Sequence, residues 1–284
     1  MKFLVLGATG MAGHLIAIYL QEQGHDIITF STTPFNYCNN IVGDALNTNL
    51  LRRTILDNEY DIVINCIGIL NQAANEHKAN AVFLNSYLPH YICQITRDTP
   101  TRLIHMSTDC VFSGKKGNYR EDSFRDGESF YDISKALGEI DDHKNLTFRN
   151  SIIGPDMDIN GIGLFNWFMK QHGEISGYTR AIWTGVTTLI LAKAMEKAAI
   201  DKLTGLYNLV NNNTISKYDL LHLFNKFCRA DELIIKTSEQ VALNKSLINR
   251  RQDFDLIVPS YEEMVAEMWA WVEDHRSLYT HYFN

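Results

Sequence analysis

Phe3-Leu4-Val5-Leu6-Gly7-Ala8-Thr9-Gly10-Met11-Ala12-Gly13 sets an apolar run directly before three spaced glycines. The apolar run predicts a strand buried on both faces. The glycines predict a turn into a helix whose first N–H groups stay free at the positive end of the helix dipole. Such a turn cradles a pyrophosphate, and Gly7, Thr9, Gly10, Met11 and Gly13 are its candidate contacts. Far downstream, Tyr131-Asp132-Ile133-Ser134-Lys135 places a phenol and an ammonium four residues apart, on one face of a helix. Taken alone, the first segment also reads as an ordinary strand-to-helix turn and the second as a solvated helix face. Together and in this order they point to a nicotinamide-dependent enzyme.

Outward from the glycines, strand and helix signals alternate. Strands are expected at 3–6, 27–30, 40–44, 61–66, 102–107, 147–149 and 205–210. Helices are expected after Gly13 and at 50–56, 81–97, 162–170, 187–199, 217–228 and 261–273, with a short strand at 233–235. Alternation of this kind implies βαβ units. The expected fold class is α/β, a doubly wound, Rossmann-like parallel sheet with a smaller mixed α/β substrate domain. Residues 1–157 read as the dinucleotide-binding domain, rejoined by about 184–211. Residues 158–183 and 212–284 read as the substrate domain, and the aromatic tail 279–284 is expected to pack.

With 284 residues the chain has ample material for a core, and a net charge of -7 argues against nonspecific nucleic-acid binding. That charge leaves room for a local basic pocket that takes an anionic small substrate. Cys38, Cys66, Cys93, Cys110 and Cys228 show no C-x-x-C pair and no metal-ligand spacing. They read as reduced thiols of a cytoplasmic protein without a metal site. Met1-Lys2-Phe3-Leu4 runs straight into a core strand rather than a signal peptide, and no apolar run has membrane-spanning length.

The strand at 102–107 runs into Ser107-Thr108-Asp109-Cys110-Val111-Phe112-Ser113-Gly114. A hydroxyl at the end of a parallel strand faces the ligand crevice, although Thr108 also reads as a simple turn cap. Ser-Thr-Asp-x-Val-Phe-x-Gly followed by Tyr-x3-Lys and Gly138-Glu139 resembles the extended short-chain dehydrogenases/reductases. More narrowly it is similar to the dTDP-4-dehydrorhamnose reductase branch, over residues 1 to about 155. The resemblance implies a triad of Thr108, Tyr131 and Lys135. It implies hydride transfer from a nicotinamide to a 4-keto-6-deoxy nucleotide sugar, with Tyr131 as proton donor. The Lys135 ammonium and the oxidised ring are expected to lower the phenol's pKa toward the working range and Lys135 to hold the ribose.

At the end of the second strand Ser31 and Thr32 stand where an NAD-binding chain carries a carboxylate, so NADPH is the expected cofactor and NADH remains possible. Asp44 with Ala45 meets the adenine end in this reading. Cys66, Ile67 and Gly68 line the cofactor. Each of these also reads as plain closure of a strand end. Cys110 stands where the family often has tyrosine, and with Val111 it borders the expected sugar pocket. Arg149, Arg180, Arg250 and Arg251 are candidates for the substrate diphosphate, and Trp167 and Trp183 for stacking. A surface charge, or a core tryptophan, is the plainer reading of each. The resemblance thus implies a nucleotide-sugar reductase of surface-polysaccharide synthesis, a possible homodimer. Two further readings stay open. One is a reductase of a UDP-linked 2-acetamido-2,6-dideoxy-4-keto sugar, the other a catalytically silent, cofactor-binding regulatory subunit.

Overall fold

Along the first strand, Phe3 and Val5 join one buried cluster while Leu4 and Leu6 join another. Side chains alternate across a strand, so this run has apolar layers on both faces. The computed structural model describes residues 1–283. Seven strands form one parallel sheet: β1 (Lys2–Leu6), β2 (Asp26–Ser31), β3 (Asn39–Val42), β4 (Ile62–Asn65), β5 (Arg102–Met106), β6 (Leu146–Arg149) and β7 (Gly205–Asn208). Their spatial order is β7-β6-β5-β4-β1-β2-β3, every pairing parallel. The chain winds one way from β1 to β3 and the other way from β4 to β7. A crevice therefore opens at the carboxyl ends of β1 and β4, where such sheets bind ligands.

The helix Met11–Glu22 packs against Thr188–Ile200 on one face, and Thr48–Leu56 and Leu88–Ile95 cover the other. The helix expected at 81–97 is a continuous helical stretch, Lys78–Ala81, then Val82–Tyr87 with π-type bonding, then Leu88–Ile95. Periodicity cannot show a π turn, because one inserted residue only shifts the apolar phase.

Beyond β6 the chain builds small sheets of which the apolar pattern revealed only the strand expected at 233–235, found as Ile234–Ser238. Glu174–Tyr178 pairs in parallel with Ile234–Ser238, and Ala181–Trp183 lies between Ile215–Ser216 and Leu243–Asn244. Gly177 hides the first of these strands, yet it is required there. A Cβ at Gly177 would stand 2.9 Å from the Tyr218 Cα of the helix Lys217–Cys228. Tyr279 and Tyr282 of the aromatic tail are buried; Asn284, also expected to pack, lies outside the described residues.

Candidate active site

Gly7 takes a φ of +84° and donates its N–H to the Phe30 carbonyl at 2.8 Å, turning the chain off β1. A Cβ on Gly13 would stand 2.1 Å from the Gly7 carbonyl oxygen, so only glycine lets the helix come this close to the turn. Gly10 caps Met11–Glu22 without a side-chain bond, and no acidic residue sits in the first turn. Those N–H groups and the dipole are left for an anion. The chain after β4 leans over the same turn, for a Cβ on Gly7 would meet Cys66 C and Ile67 N at 3.3 Å. The pyrophosphate turn and the 66–68 segment thus form two sides of one cradle. It fits a dinucleotide.

One bond chain locks the helix behind that cradle. The Gly10 carbonyl can only accept, so His14 Nδ1 carries the proton that it shares at 3.0 Å. His14 Nε2 then accepts from the Tyr279 hydroxyl at 2.8 Å, and that oxygen accepts from Trp271 Nε1 at 3.3 Å. Burial drives the His14 pKa down to about 4 against the weaker pull of the Gly10 carbonyl.

Tyr131 and Lys135 lie on the helix Phe130–Leu137, started by a capping box between Ser129 and Asp132. The Thr108 hydroxyl lies close enough to the Tyr131 phenol to pull its pKa down. Thr108 Oγ1 also contacts Asp109 Oδ1 at 3.2 Å and accepts the Cys110 N–H at 3.1 Å. It therefore does cap a turn, and it faces the phenol as well. The Lys135 ammonium reaches back under the sheet to the Met106 carbonyl at 2.6 Å. Burial lowers Lys135 to about 8 despite the Glu139 charge.

The phenol itself departs from expectation. Burial, reinforced by neighbouring Cys110, Asp109 and Asp132, pushes the Tyr131 pKa above that of free tyrosine against the weaker pull of Thr108. Enclosure decides the phenol's state here, so Tyr131 holds its proton firmly. That is the state a proton donor needs.

The sequence profile of the RmlD substrate binding domain matches residues 1–153. The chain belongs to this family. It is thereby part of an extended short-chain dehydrogenase/reductase branch. The spore coat polysaccharide biosynthesis protein SpsK of Bacillus subtilis is 26% identical over 225 residues, 77% of this chain and 76% of that protein. The dTDP-4-dehydrorhamnose reductase of Salmonella typhimurium is 24% identical over 301 residues, 95% of this chain and 99% of the relative. Several further curated relatives are matched over somewhat less than half their length. A Bacillus anthracis dTDP-4-dehydrorhamnose reductase solved with NADP superimposes with a TM-score of 0.80 at 19% identity, covering 95% of this chain and 99% of that one.

In this RmlD-family chain several expected contacts serve the scaffold instead. Arg149 does not face a diphosphate. It is wholly buried, pairs with Glu139 through Nε at 2.8 Å and Nη2 at 2.7 Å, and lies 4.9 Å from the Phe112 ring centroid. Arg251 is likewise occupied. It binds Asp253 and the Thr204 and Leu206 carbonyls, toward the amino end of β7 and away from the crevice. Val111 is fully buried beside Phe112 and Tyr119 and offers the pocket no side chain. Trp183 is buried and carries the Lys217 ammonium 4.9 Å from its ring centroid, so that face is not free to stack. The Ser31 hydroxyl turns inward to the Thr33 carbonyl and Asn40, which leaves exposed Thr32 as the hydroxyl at the end of β2. Asp44 is exposed with one oxygen on the Leu46 N–H, and Ala45 packs in the core.

Two residues were not foreseen. Asn85, in the π turn, holds Ile69 N and O at 2.9 Å and donates to Ser134 at 3.0 Å. It ties the segment after β4 to the Tyr131 helix, and the π turn that carries it leaves no mark in the sequence. Lys217 had no signal at all, since a single lysine at a helix start reads as surface charge.

Proposed function

We propose that this chain is an NADPH-dependent reductase of a nucleotide-activated 4-keto-6-deoxy sugar in surface-polysaccharide synthesis. The observation that carries this reading is the buried, protonated Tyr131 phenol beside Thr108 at the carboxyl end of β5, on a helix whose Lys135 reaches the end of that strand. Relatives named dTDP-4-dehydrorhamnose reductase, a polysaccharide-biosynthesis relative and an NADP-bound neighbour support it. Residues 1–157, rejoined by 184–211, would hold the cofactor, with 158–183 and 212–284 closing over the sugar. Gly7, Thr9, Gly10, Met11 and Gly13 would bind the pyrophosphate, and Thr32 would meet the adenosine ribose. No carboxylate there repels a 2′-phosphate, so NADPH is preferred and NADH is tolerated.

When bound, the cofactor supplies the hydride. Thr108 and Tyr131 orient the C4 carbonyl between them, and Tyr131 passes its proton to the alkoxide oxygen as charge develops. Lys135, whose ammonium rests on the Met106 carbonyl, would hold the nicotinamide ribose and steady the phenolate left behind. The diphosphate partner is not Arg149 or Arg251. Cys110 in place of the family's frequent tyrosine frees volume beside the sugar, which favours a second substrate, the UDP-linked 2-acetamido-2,6-dideoxy-4-keto sugar. Five free thiols suit a reducing, cytoplasmic setting. A homodimer is also part of this proposal, and light scattering on the purified protein decides it.

Tyr131→Phe tests the reading. The variant should keep its affinity for NADPH, and kcat should fall by roughly 10²–10⁴. Turnover at the parental rate overturns the mechanism, and a wild type that binds NADPH but reduces no keto sugar favours the silent subunit.

A further inference from the structure

The C-terminal segment grips the helix Met11–Glu22, which starts at the pyrophosphate cradle, at both of its ends. At the far end His275 Nε2 meets Glu22 Oε1 at 2.8 Å, and its ring stacks on Trp271 with centroids 3.9 Å apart. At the cradle end the Tyr279 hydroxyl meets His14 Nε2 at 2.8 Å, and both of these residues are wholly buried. Trp271 tilts against Tyr19 between the two points, with centroids 6.5 Å apart. His14 and Glu22 share one helix face, so the segment lies along that face.

Gly10 has no side chain with which to cap the helix, and it is held through its backbone instead. Its N–H closes on the Gly7 carbonyl at 3.1 Å, while its own carbonyl receives His14 twice, from the backbone N–H at 3.1 Å and from Nδ1 at 3.0 Å. The hydrogens behind it have one consistent arrangement. An indole N–H only donates and a carbonyl only accepts, so the Tyr279 proton points to His14 and His14 Nδ1 carries its own toward Gly10. Without the Tyr279 hydroxyl, His14 Nε2 is a buried acceptor with no donor. Tyr279 is also fixed from outside the helix. It stacks on Tyr282 with centroids 6.0 Å apart, and the Tyr282 hydroxyl accepts the Asp156 N–H at 2.8 Å. A binding turn must be held to within about 0.5 Å by the shell behind it, and this chain of bonds is such a shell.

We propose that Tyr279 is a positioning residue of the cofactor site. Through His14 it holds Gly10, and the free N–H groups that follow Gly10, where they meet the pyrophosphate of the dinucleotide. The end of the chain thereby sets cofactor affinity from behind the helix. This deepens the cofactor part of the proposed function and rests on it.

The test titrates wild type, Tyr279→Phe, His14→Phe and the double variant. Phenylalanine at 279 keeps the ring against Tyr282 and removes only the hydroxyl. NADPH, adenosine 2′,5′-bisphosphate and adenosine 2′-phosphate serve as probes, the last two differing only in the phosphate that reaches the turn. Leaving the buried ring nitrogen unanswered should raise the dissociation constants of NADPH and the bisphosphate by about threefold to tenfold. Adenosine 2′-phosphate should bind every variant alike. In turnover the loss should appear in KM for NADPH, with kcat at saturating NADPH little changed. The double variant should lose little more than either single one, because both break the same chain of bonds. If the variants do not fold, the 15N indole resonance of Trp271 in the wild type reads the same chain. It should move with NADPH and with the bisphosphate, and stay in place with adenosine 2′-phosphate. Equal NADPH affinity in wild type and Tyr279→Phe, or an indole resonance indifferent to NADPH, overturns the proposal. So does an equal loss on all three probes, which would make Tyr279 a general support of the fold. A wild type that binds NADPH but reduces no keto sugar sinks the reductase reading alone, and one that binds none of the probes sinks the cofactor site and this inference with it.

Discussion

Two buried carboxylates stand on either side of the Thr108 turn, and they are treated in opposite ways. Glu139 is closed on all sides. It receives Arg149 twice, Arg125 at 2.9 Å and the Ser107 hydroxyl at 2.6 Å. Asp109 has one hydroxyl, and its lysines stay at a distance. Both stand at the carboxyl end of β5, Glu139 on Ser107 and Asp109 on Thr108. The difference is one of satisfaction. A closed charge has no capacity left for a ligand and holds the scaffold, while an open one retains its hydrogen-bonding capacity for something that arrives later. Arginine and carboxylate type alone do not tell the two apart, since either could be matched to a diphosphate on paper.

The sharpest way to break this contrast is Arg149→Met. It strands Glu139 with fewer partners in the interior, and loss of one member of a buried pair costs about 3–5 kcal/mol. Urea denaturation should show that loss, while KM for the keto sugar stays within a factor of two or so of wild type in the folded variant. A raised KM with unchanged stability would return Arg149 to the substrate. His14 is a second closed group, and its effect is read through pH. Its pKa is about 4 in the fold against 6.5 free, so above pH 6.5 both states are neutral. As pH falls from 6.5 toward 4 the unfolded chain takes up a proton that the native state refuses, and stability drops. By pH 4 the loss attributable to this ring is about 3 kcal/mol. A His14→Gln variant should lack that component when the two pH–stability curves are subtracted; parallel curves would show the ring to be accessible. The smallest stability effect belongs to the open carboxylate. Because burial raises the Asp109 pKa, its charge is a burden on the fold at neutral pH. Asp109→Asn should therefore leave the melting temperature unchanged or raise it. A clear drop in melting temperature would mean that Asp109 is closed after all.

What could be read from the sequence follows the same division. The glycine turn, Thr108, Tyr131 and Lys135 announce themselves because each works through its immediate chain neighbours: a strand end, a turn, a four-residue helical step. The parallel sheet was equally plain, since burial on both faces leaves unbroken apolar runs such as 62–64. Arg149 misled because its partner, Glu139, is fixed only by the folding of the segment between them. Trp183 misled because the cation over its ring comes from a strand and helix start 34 residues away. Ser31 and Thr32 are adjacent and chemically alike, and only the strand's pleat decides that the first turns in and the second out. Of the second-half strands only 233–235 was legible, because two or three residues make no period and Gly177 interrupts the five of Glu174–Tyr178.

The contact between His14 and Tyr279 spans 265 positions of sequence. Synthesis is vectorial, and domains begin to fold while the chain is still emerging. The glycine turn leaves the ribosome long before Tyr279, yet the ring behind it gains its second hydrogen bond only after Tyr279 has appeared. Until then His14 keeps an unanswered nitrogen at the back of the pyrophosphate cradle. An early-made part of the molecule is thus finished late, and loss of the residues from 279 onward would be felt at the glycine turn.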